Sequence, residues 1–128
     1  MNARHALLLL AAVPITLAAS SDSRPAPKPA AQPIGAPVSC IQLANFSETR
    51  IRDDWTIDFV GGAGNRVWRN ALTNRCSGLK AANAITYETS LSQLCNTDIV
   101  YVLDNIGGRL QRGPSCSLGQ FVPVKLEK

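Results

Sequence analysis

Histidine is all but missing from this chain. Of 128 residues only His5 is one, and it stands ahead of an apolar run at the start. Once the leader described below is removed, the remainder has none. That excludes Ser-His-Asp and Cys-His catalysis, histidine metal sites and the commonest general base. Close cysteine pairs are missing too. The four cysteines stand at 40, 76, 95 and 116, with gaps of 36, 19 and 21 positions. Zinc sites want pairs such as C-x-x-C, and a thiol–disulfide enzyme wants one at a helix start, where one thiol's pKa falls. Neither role fits, and no cofactor or metal is implied. The longest apolar run is well short of the roughly 20 residues that span a bilayer. Charge of one sign never accumulates in a long run.

The start of the chain reads as a secretory signal peptide over residues 1–20. Arg4 and His5 are followed by an apolar run at 6–17 and then by the small residues Ala18, Ala19, Ser20 and Ser21. That is the order of an export signal. Cutting after Ser20 places Ala18 and Ser20 at the two positions that must be small. Ser20 stands where a lipoprotein signal would carry its cysteine, so no lipid attachment is expected. Loss of Arg4 with the leader leaves 12 cationic against 9 anionic side chains, a net +3. That permits contact with anionic envelope polymers, but it is too small and scattered for nucleic acid. Residues 21–38 hold Pro25, Pro27, Pro29, Pro33 and Pro37. Proline removes backbone donors and favours extended neighbours, so this segment is expected to be a semi-rigid spacer of roughly 3 Å per residue. Residues 39–128 remain as one small domain, of a size that is marginal without added staples.

The periodicity of that domain is two. In Trp55-Thr56-Ile57-Asp58-Phe59-Val60, the residues Trp55, Ile57 and Phe59 share one face and Thr56 and Asp58 the other. Gly61-Gly62-Ala63-Gly64-Asn65 and a second run, Arg66 to Leu72, complete a β-hairpin. Residues 84–89 alternate again with Ile85 and Tyr87 inward. The run after Asp98, Ile99-Val100-Tyr101-Val102-Leu103, reads as a central strand buried on both faces. A turn follows at Asn105-Ile106-Gly107-Gly108, and Gln120-Phe121-Val122 reads as a closing strand that stops before Pro123. No window carries an amphipathic helix stripe. The fold class expected is mainly β: a small antiparallel β-barrel or sandwich of five to six strands.

Four cysteines in a small exported domain imply two disulfides with three possible pairings. The strand at 85–89 could leave Cys76 and return near Cys95. The expected pairing is therefore Cys76–Cys95 with Cys40–Cys116.

The site candidates are Asp53, Asp54, Asp58, Trp55 and Trp68. Paired carboxylates across a cleft can cleave glycosides. Against that, Asp53 and Asp54 point to opposite sides if extended, and Asp58 lies on the outer face, where it can pair with Arg66 or Arg69 across the hairpin. A turn opened by Asp53 and Asp54 is the plainer reading. The glycine run lacks the Lys-Ser/Thr and the helix of a phosphate loop, so a hairpin turn explains it better. Trp55, Trp68, Tyr87 and Tyr101 could form a sugar platform, but core packing explains them more simply.

Several of these residues occur together in a known pattern. Cys40-Ile41, Asp53-Asp54-Trp55-Thr56-Ile57-Asp58-Phe59, Asn74-Arg75-Cys76-Ser77-Gly78-Leu79, Leu94-Cys95-Asn96-Thr97-Asp98 and Cys116-Ser117-Leu118-Gly119-Gln120-Phe121 carry it. The chain thereby resembles a family of small exported proteobacterial proteins defined as a domain of unknown function, over residues 40–123. Many of its members look like lipoproteins, from which Ser20 departs. The resemblance implies an envelope location and a disulfide-stapled β domain, with no activity or site residue to transfer.

The reading that follows is a periplasmic or secreted module, leaning away from an enzyme, that binds an envelope protein or anionic polymer or supports the envelope. The rival is a carboxylate-dependent hydrolase of an envelope polysaccharide. A cleft holding two of the aspartates beside an exposed tryptophan would favour it, whereas a closed barrel with both tryptophans buried would favour the binding module. A third reading, an inhibitor of an envelope enzyme, predicts a rigid exposed loop at 105–115.

Overall fold

Alternation in the Trp55 run builds the middle of the fold, as a computed structural model shows for residues 9–14, 24–89 and 91–128. The expected cleavage site and most of the expected leader lie outside these described residues. In chain order the strands are β1 (Ala31–Pro33), β2 (Cys40–Gln42), β3 (Glu48–Asp53), β4 (Thr56–Gly61), β5 (Arg66–Ala71), β6 (Ile85–Tyr87), β7 (Gln93–Cys95), β8 (Ile99–Ile106), β9 (Arg109–Ser117) and β10 (Phe121–Leu126). One four-residue helix, α1 (Leu79–Ala82), stands between β5 and β6. All pairings are antiparallel, in a five-stranded sheet ordered β1-β10-β5-β4-β3, a two-stranded ribbon β2-β7 and a three-stranded sheet β6-β8-β9.

The mainly β class holds, but none of the sheets closes into a barrel. The expected five to six strands are ten among the described residues. Two of the additional ones, β1 and β7, are three residues long, too short to show alternation, while β2 forms where Cys40 to Leu43 could be read as an edge strand. β9 escaped for another reason: seven of its nine residues are exposed, so it carries no apolar face to read.

One core joins the three sheets. Ile51, Ile57, Phe59, Leu72 and Phe121 come from the five-stranded sheet and its flank, Ile41 and Leu94 from the ribbon, Val100 and Val102 from β8, and Leu79 from α1. Phe59 lies edge-on to both Phe46 and Phe121, with ring centroids 5.1 and 5.4 Å apart. Edge-to-face contact of this kind adds to the area they bury. Ile57 and Phe59 share the core face as their alternation requires. β8 is central in its sheet yet is buried on one face only: Val100 and Val102 point inward, while Ile99 is exposed and Tyr101 and Leu103 are half-buried. Its continuous apolar run therefore overstated its burial.

The other face of β4 is buried as well. Thr56, Asp58 and Val60 are covered, and Val60 packs with Val67 and Val124 in a second cluster. The cover is the proline-rich segment, which is joined to the domain instead of standing off it as a spacer. Ala31 pairs with Leu126 and Pro33 with Val124, Ile34 N–H donates to the Pro123 carbonyl, and Glu127 N–H to the Ala30 carbonyl. Pro33 is tolerated because β1 is an edge strand. β10 also runs through Pro123 and does not stop before it. Phe121 exchanges both its backbone bonds with Val38, so Pro123, two residues on, turns its missing donor to the same side. There Ile34 still donates to the Pro123 carbonyl, and only the return bond from position 123 is forgone.

The disulfides are Cys40–Cys95 and Cys76–Cys116, which corrects the expected Cys76–Cys95 and Cys40–Cys116. Cys40 lies directly opposite Cys95 in the β2–β7 register, with Cα atoms 4.0 Å apart. Pairing of two short strands distant in sequence decides the partner. The second bridge ties the segment after β5 to β9, and so the largest sheet to the three-stranded one.

Candidate functional site

Asp53 ends β3, Thr56 begins β4, and the turn between them presents Trp55. Asp53 Oδ1 accepts the Trp55 backbone N–H at 2.7 Å, closing the turn locally. Asp54 reaches the other way along the surface. Its Oδ1 accepts the Lys80 backbone N–H at the start of α1, its Oδ2 accepts from Arg75 Nη2, and its carbonyl accepts the Cys76 N–H, each within 2.9 Å. Together with Pro25 these residues line a surface depression of about 500 Å³. Asp53 and Asp54 thus share one depression, because the chain turns at this point and is not extended.

The depression meets half of the hydrolase expectation. It holds two carboxylates beside a half-buried tryptophan. Each carboxylate already serves a structural donor, however. The aromatic face is also taken: the Arg24 guanidinium lies over the Trp55 ring at 4.3 Å from its centroid and donates to the Thr73 carbonyl. Stacking of a cation on the ring face occupies the surface a sugar would use. Lys80 Nζ is bound to the Ile51 carbonyl at 3.0 Å.

The remaining candidates lie elsewhere. Trp68, on β5, packs against the core with Arg66 5.7 Å from its ring centroid. Tyr87 and Tyr101 lie on the three-stranded sheet, and Arg112 covers Tyr101 at 4.4 Å. No aromatic platform is assembled from these four. Asp58 is fully buried and not on a solvent-facing outer surface. It does pair with Arg69 across the hairpin, through Nε at 2.8 Å and Nη2 at 3.0 Å, and Arg52 Nε supplies a further bond at 2.8 Å. Arg66 is not its partner. On the same strand as Arg52, a hydrogen bond from Arg50 holds the exposed Glu48 carboxyl below the ordinary carboxylate range.

The most exposed strand is β9, which forms a long hairpin with β8. Its tip, Gly107-Gly108, has φ of 60° and 80° between the paired residues Ile106 and Arg109. Two consecutive positive φ values are what the tightest hairpin turn requires, and glycine supplies them without steric cost. Every residue from 105 to 112 is exposed. Ile106 and Leu110 hold 58% and 67% of their surface in solvent. They fall on opposite faces of the ribbon, since Ile106 pairs with Arg109 and Asn105 with Leu110. At its root the hairpin is braced by the buried Val100 and Val102, by the bridge at Cys116, and by Arg112 bound to Glu88 at 2.9 Å.

Arg24, Arg75 and Lys80 carried no signal in the sequence, because only the turn, the short helix and the folded-back segment bring them to Trp55. Comparison of the chain with protein families, with curated proteins and with solved structures finds no match. Among the described residues no helix is long and apolar enough to cross a membrane.

Proposed function

We propose that this protein is a non-enzymatic module of the bacterial envelope, exported and oxidised there, that binds a protein partner through the β8–β9 hairpin in the manner of a small inhibitor. One observation carries the reading: residues 105–112 form a regular hairpin that is exposed throughout and presents Ile106 and Leu110 to solvent. A braced ribbon with outward apolar side chains loses little conformational freedom on binding, and large apolar side chains at a rigid tip make suitable anchors. Arg109 stands beside Ile106 at the tip, so the complementary cleft is apolar with an acidic group at its rim. Membership of the four-cysteine exported family that the sequence resembles belongs to the same reading. The hydrolase alternative is disfavoured because Asp53 and Asp54 are each bound to donors and Trp55 is covered by Arg24.

The test is capture from envelope extract with three immobilised forms of the protein. The parent and Trp55→Ala should retain one dominant partner, which Ile106→Ser/Leu110→Ser should lose. Equal capture by the hairpin variant would remove the proposal. Release of sugar ends from an envelope polysaccharide, abolished by Asp54→Asn, would replace it with the hydrolase reading.

A further inference from the structure

We propose that the groove between the proline-rich segment and the outer face of β5 and β10 binds a free single-chain anionic amphiphile, a long-chain carboxylate, with its head at Arg69. The groove has a volume of about 530 Å³, within the range of small-molecule sites. Pro27, Ala31 and Pro33 form one wall, and Val122 and Val124 the other. Such walls suit an alkyl chain and offer a sugar almost nothing to bond.

Charge selects the head group. Asp58 takes bonds from both Arg52 and Arg69, so one buried carboxylate faces two guanidiniums. The cluster keeps one positive charge uncompensated, and Arg52 Nη2 is buried with no partner among the described residues. Glu48, on the same strand as Arg52, is hydrogen-bonded to Arg50, whose charge it balances, and reaches Arg52 only through space. A largely buried cation gains most from an added counter-charge. Arg69 lines the groove. Its Nε and Nη2 are engaged by Asp58 and the Pro29 carbonyl. Nη1 makes no hydrogen bond among the described residues and, unlike Arg52 Nη2, is not sealed from solvent. A carboxylate head bonded to Nη1, with its chain along the valines, satisfies both the charge and the apolar walls. The edge of β10 is already taken by β1, so an added peptide strand is not the occupant. This site is separate from the hairpin and stands or falls independently of it.

The experiment is calorimetric titration of the protein with sodium dodecanoate below its micellar concentration, alongside amide NMR. Dodecanoate should bind and shift the amides of Arg69, Val122 and Val124. Dodecyltrimethylammonium and sodium acetate should bind at least tenfold more weakly. Ala71→Trp, at an exposed position lining the groove, should weaken dodecanoate at least tenfold with the melting temperature retained. Equal binding of the cationic amphiphile, acetate binding as tight as dodecanoate, or shifts confined to other surfaces would overturn the proposal. So would attachment to phosphatidylglycerol vesicles without binding of free dodecanoate. The ligand comparison uses the parent protein, so it decides the matter even if the tryptophan variant fails to fold.

Discussion

Asp58 holds the outer face of the central strand together. It is fully buried and serves two arginines that would otherwise be adjacent like charges. Asp58→Asn should therefore cost roughly 3–5 kcal/mol, the range for leaving a buried charge unpaired, read as a lowered urea midpoint. The candidate carboxylates separate on this scale. Asp53 and Asp54 were legible as turn formers from their place before Trp55, whereas the burial of Asp58 was not, because it depends on Arg52 and Arg69 closing over it from the two neighbouring strands, with the Pro29 carbonyl bound to Arg69. Tyr87 gives a second residue-scale prediction. Burial raises its pKa above the ordinary tyrosine value of about 10. The fold therefore favours the neutral phenol; that contribution is intact below the unfolded value and is lost as pH rises through the folded one. Tyr87→Phe should leave neutral stability nearly unchanged and lose less stability above about pH 10, as measured by denaturation across an alkaline series.

At the scale of elements, the proline-rich segment matters most. Its composition reads as a spacer, and its prolines do keep it out of a central strand. What draws it onto the domain is the apolar outer face of β4, β5 and β10, with Val60, Val67 and Val124 left to cover. A chain beginning at Gly35 should lose about 2 kcal/mol, from three valines partly re-exposed and the β1 pairing, read as a shift of the thermal midpoint. The same truncation should leave the β8–β9 hairpin in register, since that hairpin is tied to the core by Val100, Val102 and Cys116. The hairpin turn was legible from Gly107-Gly108. The strand after it was not, because a ribbon exposed on both faces has no hydrophobic period.

For the whole molecule, the two bridges do what a core of this size cannot do alone. They close separations of 55 and 40 residues, and chain-entropy arithmetic gives each about 4 kcal/mol, comparable to the stability of a small domain. Reduction should lower the thermal midpoint steeply. Cys76→Ser/Cys116→Ser should loosen the hairpin sheet from the five-stranded sheet, seen as faster amide exchange in β8 and β9 than in β4. Non-reducing peptide mapping should recover Cys40 with Cys95; Cys40 joined to Cys116 would contradict the β2–β7 register.

The amino-acid sequence by itself determined the β class, the Trp55 hairpin with its two-residue alternation, and the presence of two disulfides among the four cysteines. These are local or compositional properties, written in neighbouring residues. Tertiary structure alone decided the cysteine partners, the open three-sheet architecture, the burial of Asp58 and the groove beneath the proline-rich segment. Each depends on which strands meet across long separations. Short strands carry too few residues to announce their partners, and a polar residue's burial depends on what lies over it.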